Sequence, residues 1–138
     1  MIVMVVDGQG GRLGASLTEK IKKACPEAEV LAIGTNSAAT AAMLKAGADE
    51  GATGENPVRV ASTRADVITG PVGIIMADSL LGEVTAKMAE SITAAGAKKV
   101  LIPMNKCNTL IAGINGETVS DLTEDAVKKI CRLAAEEK

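Results

Sequence analysis

The fold is decided by the first stretch of the chain, residues 2–14, which read IVMVVDGQGGRLG. Residues 2–6 are an apolar and mostly β-branched run, typical of a strand buried on both faces of a parallel sheet. Four glycines follow within eight positions, and Leu13, Leu17 and Ile21 then recur at helical spacing. A strand, a glycine-rich turn and a helix in this order predict the first unit of a doubly wound α/β fold.

The rest of the chain repeats this alternation. Further strands are predicted at residues 29–33, 50–54 (very short), 65–69, 99–102 and 109–114. Further helices are predicted between Asn36, as N-terminal cap, and Gly47, and between Asn56, as cap with Pro57 in the first helical position, and about Arg64. A long helix is predicted to begin at Asp78 or Ser79 and to end in a left-handed cap at Gly96. The closing helix is predicted to begin at Ser120 or Asp121. Residues 58–61 can instead form an edge strand, an alternative that the pattern leaves open.

Strands alternating with helices predict a parallel sheet with helices on both faces. The predicted fold is therefore one three-layer, doubly wound, mostly parallel Rossmann-like domain over residues 1–138, with strand order 3-2-1-4-5. The segment 109–114 adds a sixth short strand, whose direction the sequence leaves open.

Composition excludes several classes of function. The chain has no Phe, Tyr or Trp, so it has no ring on which single-stranded nucleic acid can stack. Its net charge is −2 and no basic stripe stands out, which disfavours nucleic-acid and anionic-membrane partners. No apolar run approaches the roughly 20 residues of a membrane span. We therefore expect a protein that binds neither nucleic acid nor membrane.

Histidine is absent from the chain, and cysteine occurs three times. The lack of His removes the commonest general base and zinc ligand. Cys25, Cys107 and Cys131 are odd in number and lack metal-type or redox-pair spacing, so they are interpreted as reduced thiols of a cytoplasmic protein. Cys25 and Cys131 fall on helix faces and are expected to be packing residues.

The two most glycine-rich loops follow predicted strands 1 and 4, at the switch point where doubly wound folds bind ligands. Their glycines let the backbone approach a phosphate closely, and the following helix aims free N–H groups at it. The spacing of Gly8, Gly10 and Gly14 is one residue longer than the dinucleotide fingerprint, and no Lys-Ser/Thr pair follows to make a P-loop. The alternative is that the glycines only form tight turns.

Polar residues after the other strands extend the predicted site. Thr35 and Asn36 follow strand 2, where an NAD site carries an acid, so they suit a ribose phosphate or another ligand better than NAD. Asn36 can equally be only a helix cap. The full predicted ligand-binding set is Gly8, Gln9, Gly10, Gly11, Arg12, Gly14, Thr35, Asn36, Glu55, Asn56, Gly70, Pro71, Gly73, Asn105 and Asn108.

Lys106 and Cys107 are the candidate catalytic residues. Lys106 can neutralise a phosphate and, by lowering the pKa of the Cys107 thiol, can make it a nucleophile. No histidine is available as its base, which weighs against thiol catalysis.

Five separated motifs resemble those of one family of small bacterial proteins. They are DGQGG (7–11), GTN (34–36), GATGEN (51–56), GPVGI (70–74) and NKCN (105–108). Together they resemble the family known as domain of unknown function 3842 over nearly the whole chain. The resemblance implies the domain boundaries, and it implies no activity.

Three functions remain as hypotheses. The first is a stand-alone module that binds a small phosphate-bearing ligand, which can be NAD(P), another dinucleotide, a mononucleotide or coenzyme A. The second is a small enzyme whose Asn/Lys/Cys site is completed by a partner subunit. The third is a regulatory or structural subunit without a ligand, and for any of them a homodimer is the expected assembly.

Overall fold

The computed structural model describes residues 1–104 and 108–136. Strands and helices alternate along the chain, and their bounds are β1 Ile2–Asp7, α1 Arg12–Ala24, β2 Glu29–Gly34, α2 Ser37–Lys45, β3 Glu50–Thr53, α3 Glu55–Arg64, β4 Val67–Pro71, α4 Ala86–Ala94, β5 Lys98–Ile102 and α5 Val119–Glu136. A short 3-10 helix, Val72–Ile75, follows β4. The alternation predicted from the sequence is therefore confirmed for these elements.

The five strands form one parallel sheet in the order β3-β2-β1-β4-β5, as predicted. The central strand β1 pairs with β2 through Val5 opposite Ala32 and with β4 through Val5 opposite Thr69. A ligand site at the switch point would lie where β1 and β4 end side by side.

Two aliphatic cores lie on opposite faces of the sheet. Val3 and Val5 of β1 point into the core covered by α1, α2 and α5. Met4 and Val6 point into the core covered by α3 and α4. All four side chains are buried, and each contributes roughly 1.5–3 kcal/mol by leaving water. Burial on both faces explains why the sequence of β1 shows no polar alternation.

The long helix predicted from residue 78 to residue 96 is wrong. The 3-10 helix Val72–Ile75 and a series of turns come first, and α4 begins only after Thr85, whose hydroxyl accepts a hydrogen bond from the Met88 amide at 3.1 Å. Asp78, Leu80 and Leu81 have left-handed φ values of 64°, 55° and 56°, which a right-handed helix excludes.

The predicted left-handed cap at Gly96 is also wrong. Helix α4 ends at an extended Ala95, and Gly96 is not among the residues with positive φ.

The predicted sixth strand at 109–114 is wrong as well. Within the described residues this segment consists of turns and coil, and it is not one of the five strands of the sheet. Asn108 and Gly113 there have φ values of 58° and 94°, which bend the backbone away from an extended course.

Two helix starts differ from prediction by a residue or two. Helix α3 begins at Glu55, with Gly54 as its cap, rather than after an Asn56 cap. The alternative of a strand at 58–61 is wrong, because Val58 and Ala61 lie in this helix and face the core at helical spacing. Pro57 lies in its first turn, where no helical N–H bond is required. Helix α5 begins at Val119 rather than after Ser120 or Asp121.

Within residues 1–104 and 108–136, no helix combines the length and the apolar character needed to cross a membrane.

Candidate functional site

Asp7, the last residue of β1, holds the glycine loop that follows it. Its Oδ1 accepts a hydrogen bond from the Gly8 amide at 2.8 Å, and its Oδ2 accepts one from the Gly14 amide at 2.7 Å. Only 6% of Asp7 is exposed, so both bonds are shielded from water. The carboxylate thus joins the two ends of loop 8–14. This role of Asp7 is not among the sequence-based predictions, although an acid directly after a fully apolar strand is a recognisable signal.

The loop turns at Gly11. The Gly11 amide donates to the Gly8 carbonyl at 2.9 Å, and its φ is 72°. A side chain at this position would start 2.7 Å from Ala39 Cα, closer than packed atoms approach. Gly11 therefore lets α1 begin close against α2.

Within the described residues, three amides of the loop are not used by any hydrogen bond and can face a ligand. The hydrogen bonds among the described residues use the amides of Gly8, Gly11 and Gly14, together with that of Gln9. None of these bonds uses the amides of Gly10, Arg12 or Leu13. Unpaired amides at the start of a helix form a favourable place for an anion.

A cavity of about 500 Å³ opens in front of these amides. Its wall includes the loop itself, the side chains of Arg12 and Lys20, Pro71 at the end of β4, and Met104. Its volume lies within the range of small-molecule sites. The structure therefore gathers Gly8, Gln9, Gly10, Gly11, Arg12 and Pro71 of the predicted set around one space.

The first turn of α5 faces the same cavity. Val119, Ser120 and Thr123 line it. Thr118 and Asp121 cap the helix: the Asp121 amide donates to the Thr118 hydroxyl at 3.0 Å, and the Thr118 amide donates to the Asp121 carboxylate at 3.3 Å. The positive ends of two helices, α1 and α5, thus converge on one space. The sequence does not predict α5 at the site, because this approach depends on the packing of α5 against α1.

Glu83 lies on the opposite side of the loop. Its Oε1 accepts three hydrogen bonds: from the Gln9 amide at 2.9 Å, from the Thr35 hydroxyl at 2.7 Å and from the Asn36 side-chain amide at 2.7 Å. The bond from Thr35 and then that from Gln9 are the main causes that hold the pKa of Glu83 below its ordinary value. Asn36 also caps α2 by accepting from the Ala39 amide at 2.8 Å, so the predicted cap is confirmed and its role in ligand binding stays a prediction.

The two glycine loops do not form the open cradle that their positions in the sequence predicted. The Leu80 side chain packs near both Gly8 and Gly73, and the Ser79 hydroxyl donates to the Gly73 carbonyl. Gly70 lies tightly against the Val6 carbonyl. The gap between the loops is therefore partly filled by protein, and the open space lies on the side of α1 and α5.

Other predicted site residues lie elsewhere. Gly14 packs under Met43. The Glu55 carboxylate accepts a bond from the Thr85 hydroxyl at 2.6 Å, and the Asn56 side-chain oxygen accepts one from Arg59 Nη2 at 2.9 Å.

Asn56 lines a separate groove of about 290 Å³ between β3 and α3. Asn108 lies in an exposed turn. Asn105, Lys106 and Cys107 are outside the described residues, so the catalytic prediction stays untested.

Comparison with solved structures places the fold among known α/β proteins. The chain is similar to a dodecameric FMN-dependent UbiX-like decarboxylase from Escherichia coli O157:H7, with a TM-score of 0.57 and 19% identity over 98% of this chain and 94% of that one. It also matches AibC at 18% identity and a TM-score of 0.49, covering 99% of this chain and 46% of that one. The 19% identity to the decarboxylase shows a shared fold alone.

Comparison of the sequence itself gives two results. No curated protein matches the chain. The model of the family described as Domain of unknown function (DUF3842) matches residues 2–135, and the chain therefore belongs to that family.

Proposed function

We propose that this protein binds a small phosphate-bearing ligand in the cavity in front of the glycine loop. The phosphate would face the amides of Gly10, Arg12 and Leu13, with the Arg12 and Lys20 side chains as counter-charges. The observation that carries this proposal is the convergence of two helix N-termini and two cationic side chains on one cavity of about 500 Å³. Backbone amides and positive helix ends act together on an anion.

The rest of the cavity suits an apolar or aromatic group. Leu80, Met104 and Val119 line it beside the loop, and Val119 is 51% exposed, so an apolar group placed here would remove that surface from water. A mononucleotide would place its phosphate at the loop and its ring against these side chains. FMN is the first candidate because the decarboxylase of similar fold is described as FMN-dependent. NAD(P), other nucleotides and coenzyme A share the phosphate and stay within the proposal.

The experiment is a thermal-shift screen followed by calorimetric titration. The ligands are FMN, NAD(H), NADP(H), ATP and coenzyme A, with riboflavin as the matched control that lacks the phosphate of FMN. We expect at least one phosphate-bearing compound to raise the melting temperature, and FMN, if it is the one, to bind far better than riboflavin. Failure of every compound to bind, or equal binding of FMN and riboflavin, would refute the proposal.

Variants locate the phosphate. Arg12→Ala and Lys20→Ala should each weaken binding about 5- to 20-fold, because each removes one charged partner of the anion worth roughly 1–2 kcal/mol. Lys45→Ala is the matched control, since Lys45 is an exposed cation in the last turn of α2. An equal effect of Lys45→Ala would mean that only the overall charge matters.

We also propose that the protein forms a homodimer. Leu44 and Val60 are each 42% exposed, and Val60 lines the groove of about 290 Å³ beside the edge strand β3. A second copy covering this edge would bury both side chains and protect the unpaired edge of the sheet. Light scattering at increasing concentration tests this, and a strict monomer throughout would refute it.

A further inference from the structure

The segment of residues 76–84, here called the strap, connects the 3-10 helix to α4 and ends beside the glycine loop. Three of its residues, Asp78, Leu80 and Leu81, have left-handed φ values, and Leu81 is 96% exposed. The strap thus holds a disfavoured backbone conformation and leaves a large apolar side chain in water. Hydrogen bonds within the strap, such as that from the Asp78 amide to the Val84 carbonyl at 2.7 Å, keep it in place together with the contact between Glu83 and the glycine loop.

The main polar contact between the strap and the loop is the Glu83 carboxylate. Neutral groups alone donate to it: the Gln9 amide, the Thr35 hydroxyl and the Asn36 side-chain amide. Within the part of the chain that the structure describes, no Lys or Arg forms an ion pair with Glu83. Three neutral donors that converge on one carboxylate oxygen form a site suited to an anion from solution as well.

This donor site adjoins the proposed phosphate site. The amide of Gln9 is bonded to Glu83, whereas the amide of the next residue, Gly10, is among those that no described residue uses. A phosphate at the Gly10 amide would therefore lie beside the Glu83 carboxylate, and the two like charges would repel each other. A dianionic phosphate carries more charge than the carboxylate and can accept more hydrogen bonds.

We propose that Glu83 is a built-in competitor for phosphate. In the absence of ligand its carboxylate fills the donor site formed by Gln9, Thr35 and Asn36. A phosphate group at the neighbouring Gly10 amide repels the carboxylate from these donors and loosens the strap. The inference rests on the proposed function and adds its regulation: binding of a phosphate-bearing ligand is coupled to opening of residues 76–84.

The test uses inorganic pyrophosphate as the probe, followed by the backbone amide NMR signals of the full chain. In the wild type we expect shifts at Gly10 and Arg12 together with Gln9 and Thr35, and faster hydrogen exchange in the strap. Glu83→Gln and Glu83→Ala should raise the affinity for pyrophosphate about tenfold or more. This is the gain expected if the state with Glu83 bonded to the loop accounts for about 90% or more of the wild-type molecules. Two variants are used so that a folding defect in one does not decide the result, and Glu90→Gln is the matched control for removal of an exposed carboxylate.

The outcomes separate this inference from the proposed function. Shifts at Gly10 and Arg12 without any gain of affinity on substitution of Glu83 would overturn the competition and leave the phosphate site standing. An equal gain in Glu90→Gln would reduce the effect to net charge and overturn it too. Absence of pyrophosphate binding in every variant would overturn both.

A second, independent observation concerns two of the cysteines. Cys25 follows α1 directly and Cys131 lies on α5, yet the Cys131 thiol donates to the Cys25 sulfur at 2.7 Å across 106 positions of sequence. The expectation that both are only packing residues is therefore incomplete, because the fold brings them into contact. Burial, helped by the neighbouring Cys131, raises the pKa of Cys25 to about 12. Cys131 is the more exposed of the two and borders a surface cavity of about 320 Å³.

We infer that Cys25 and Cys131 form a reversible disulfide when the protein meets a peroxide. The Cys131 thiolate attacks one peroxide oxygen, the O–O bond breaks, and hydroxide leaves to give a sulfenic acid on Cys131. The Cys25 thiol then attacks that sulfur, the S–O bond breaks, and water leaves as the S–S bond forms. Two thiols are oxidised and one peroxide is reduced to two waters. The bond would tie the end of α1 to α5.

The test is hydrogen peroxide treatment of a Cys107→Ser variant, which retains only this pair. We expect the intact mass to fall by two hydrogens, a cross-linked peptide joining Cys25 to Cys131, and a rise in melting temperature of about 10 °C that dithiothreitol reverses. Cys25→Ser in the same background should give none of these. Oxidation of Cys131 to sulfinic acid without a cross-link, or cross-links only between molecules, would overturn the inference.

Discussion

Replacement of Asp7 by alanine tests how the glycine loop is held. The substitution removes a carboxylate that is 6% exposed and that accepts bonds from the Gly8 and Gly14 amides at 2.8 and 2.7 Å. Hydrogen bonds to charged groups contribute roughly 1.5–3 kcal/mol each. The cost of burying the carboxylate offsets part of this gain, so we expect a net loss of about 3–4 kcal/mol.

The expected change is large enough to measure in two ways. For a chain of 138 residues the unfolding entropy is about 0.3 kcal/mol per kelvin. A loss of 3–4 kcal/mol then lowers the melting temperature by about 10–13 °C. Urea denaturation should show the same loss of free energy of unfolding as a lower midpoint with an unchanged slope, provided that unfolding is two-state.

Asp66, which directly precedes β4, supplies the matched control, because its carboxylate contacts the other end of β1. Its carboxylate accepts a hydrogen bond from the Ile2 amide at 2.7 Å, but in an exposed position. Asp66→Ala should therefore cost only about 0.5–1.5 kcal/mol, because water can replace the lost acceptor. Equal costs for the two variants would refute the argument that burial of Asp7 makes it the anchor of the loop.

Three further predictions follow from individual contacts. Gly11→Ala should lower the free energy of unfolding by about 2–4 kcal/mol, because Gly11 has a left-handed φ and a side chain there would clash with Ala39. Gly82→Ala should cost only about 1–2 kcal/mol, because Gly82 has a positive φ but open space around it. Similar costs for the two variants in urea denaturation would contradict the predicted clash at Gly11. Thr35 and Gln9 lower the pKa of Glu83 in the folded state. The wild type should therefore be more stable than Glu83→Gln by its full margin above the ordinary pKa of a glutamate, and this margin should decline as the pH falls through the lowered pKa of Glu83. A margin of stability that grows on acidification would contradict this prediction. Val60→Asp should convert the proposed dimer to a monomer in light scattering, while Val119→Asp, at the cavity, should leave it unchanged.

The order of the sheet could be predicted because its causes are local. The apolar run before Asp7 and the glycines after it indicate a buried strand and a tight turn within a dozen residues, and the alternation of strands and helices then limits the topology. The run at 109–114 was predicted wrongly for the same reason: its apolar residues satisfy a strand pattern. The bends fall at Asn108 and Gly113, residue types that tolerate a positive φ but do not by themselves require one.

The candidate site could be predicted only in part. The loop residues are contiguous in sequence, and their position at the end of β1 follows from the fold class. The partner of Gln9, Thr35 and Asn36 is Glu83, whose distance from Gln9 is 74 positions, and the contact depends on a left-handed strap that no local rule for Leu80 and Leu81 predicts. Leu80 enters the gap between the glycine loops for the same reason.

The aliphatic composition of both cores has a practical consequence. With no Phe, Tyr or Trp in the chain, the pure polypeptide has almost no near-ultraviolet absorbance and no intrinsic fluorescence. Any such signal in protein purified from its own cells therefore belongs to a molecule that came with it. An absorption spectrum of the native preparation, recorded before any ligand is added, would therefore show a bound flavin, nicotinamide or adenine with almost no contribution from the protein.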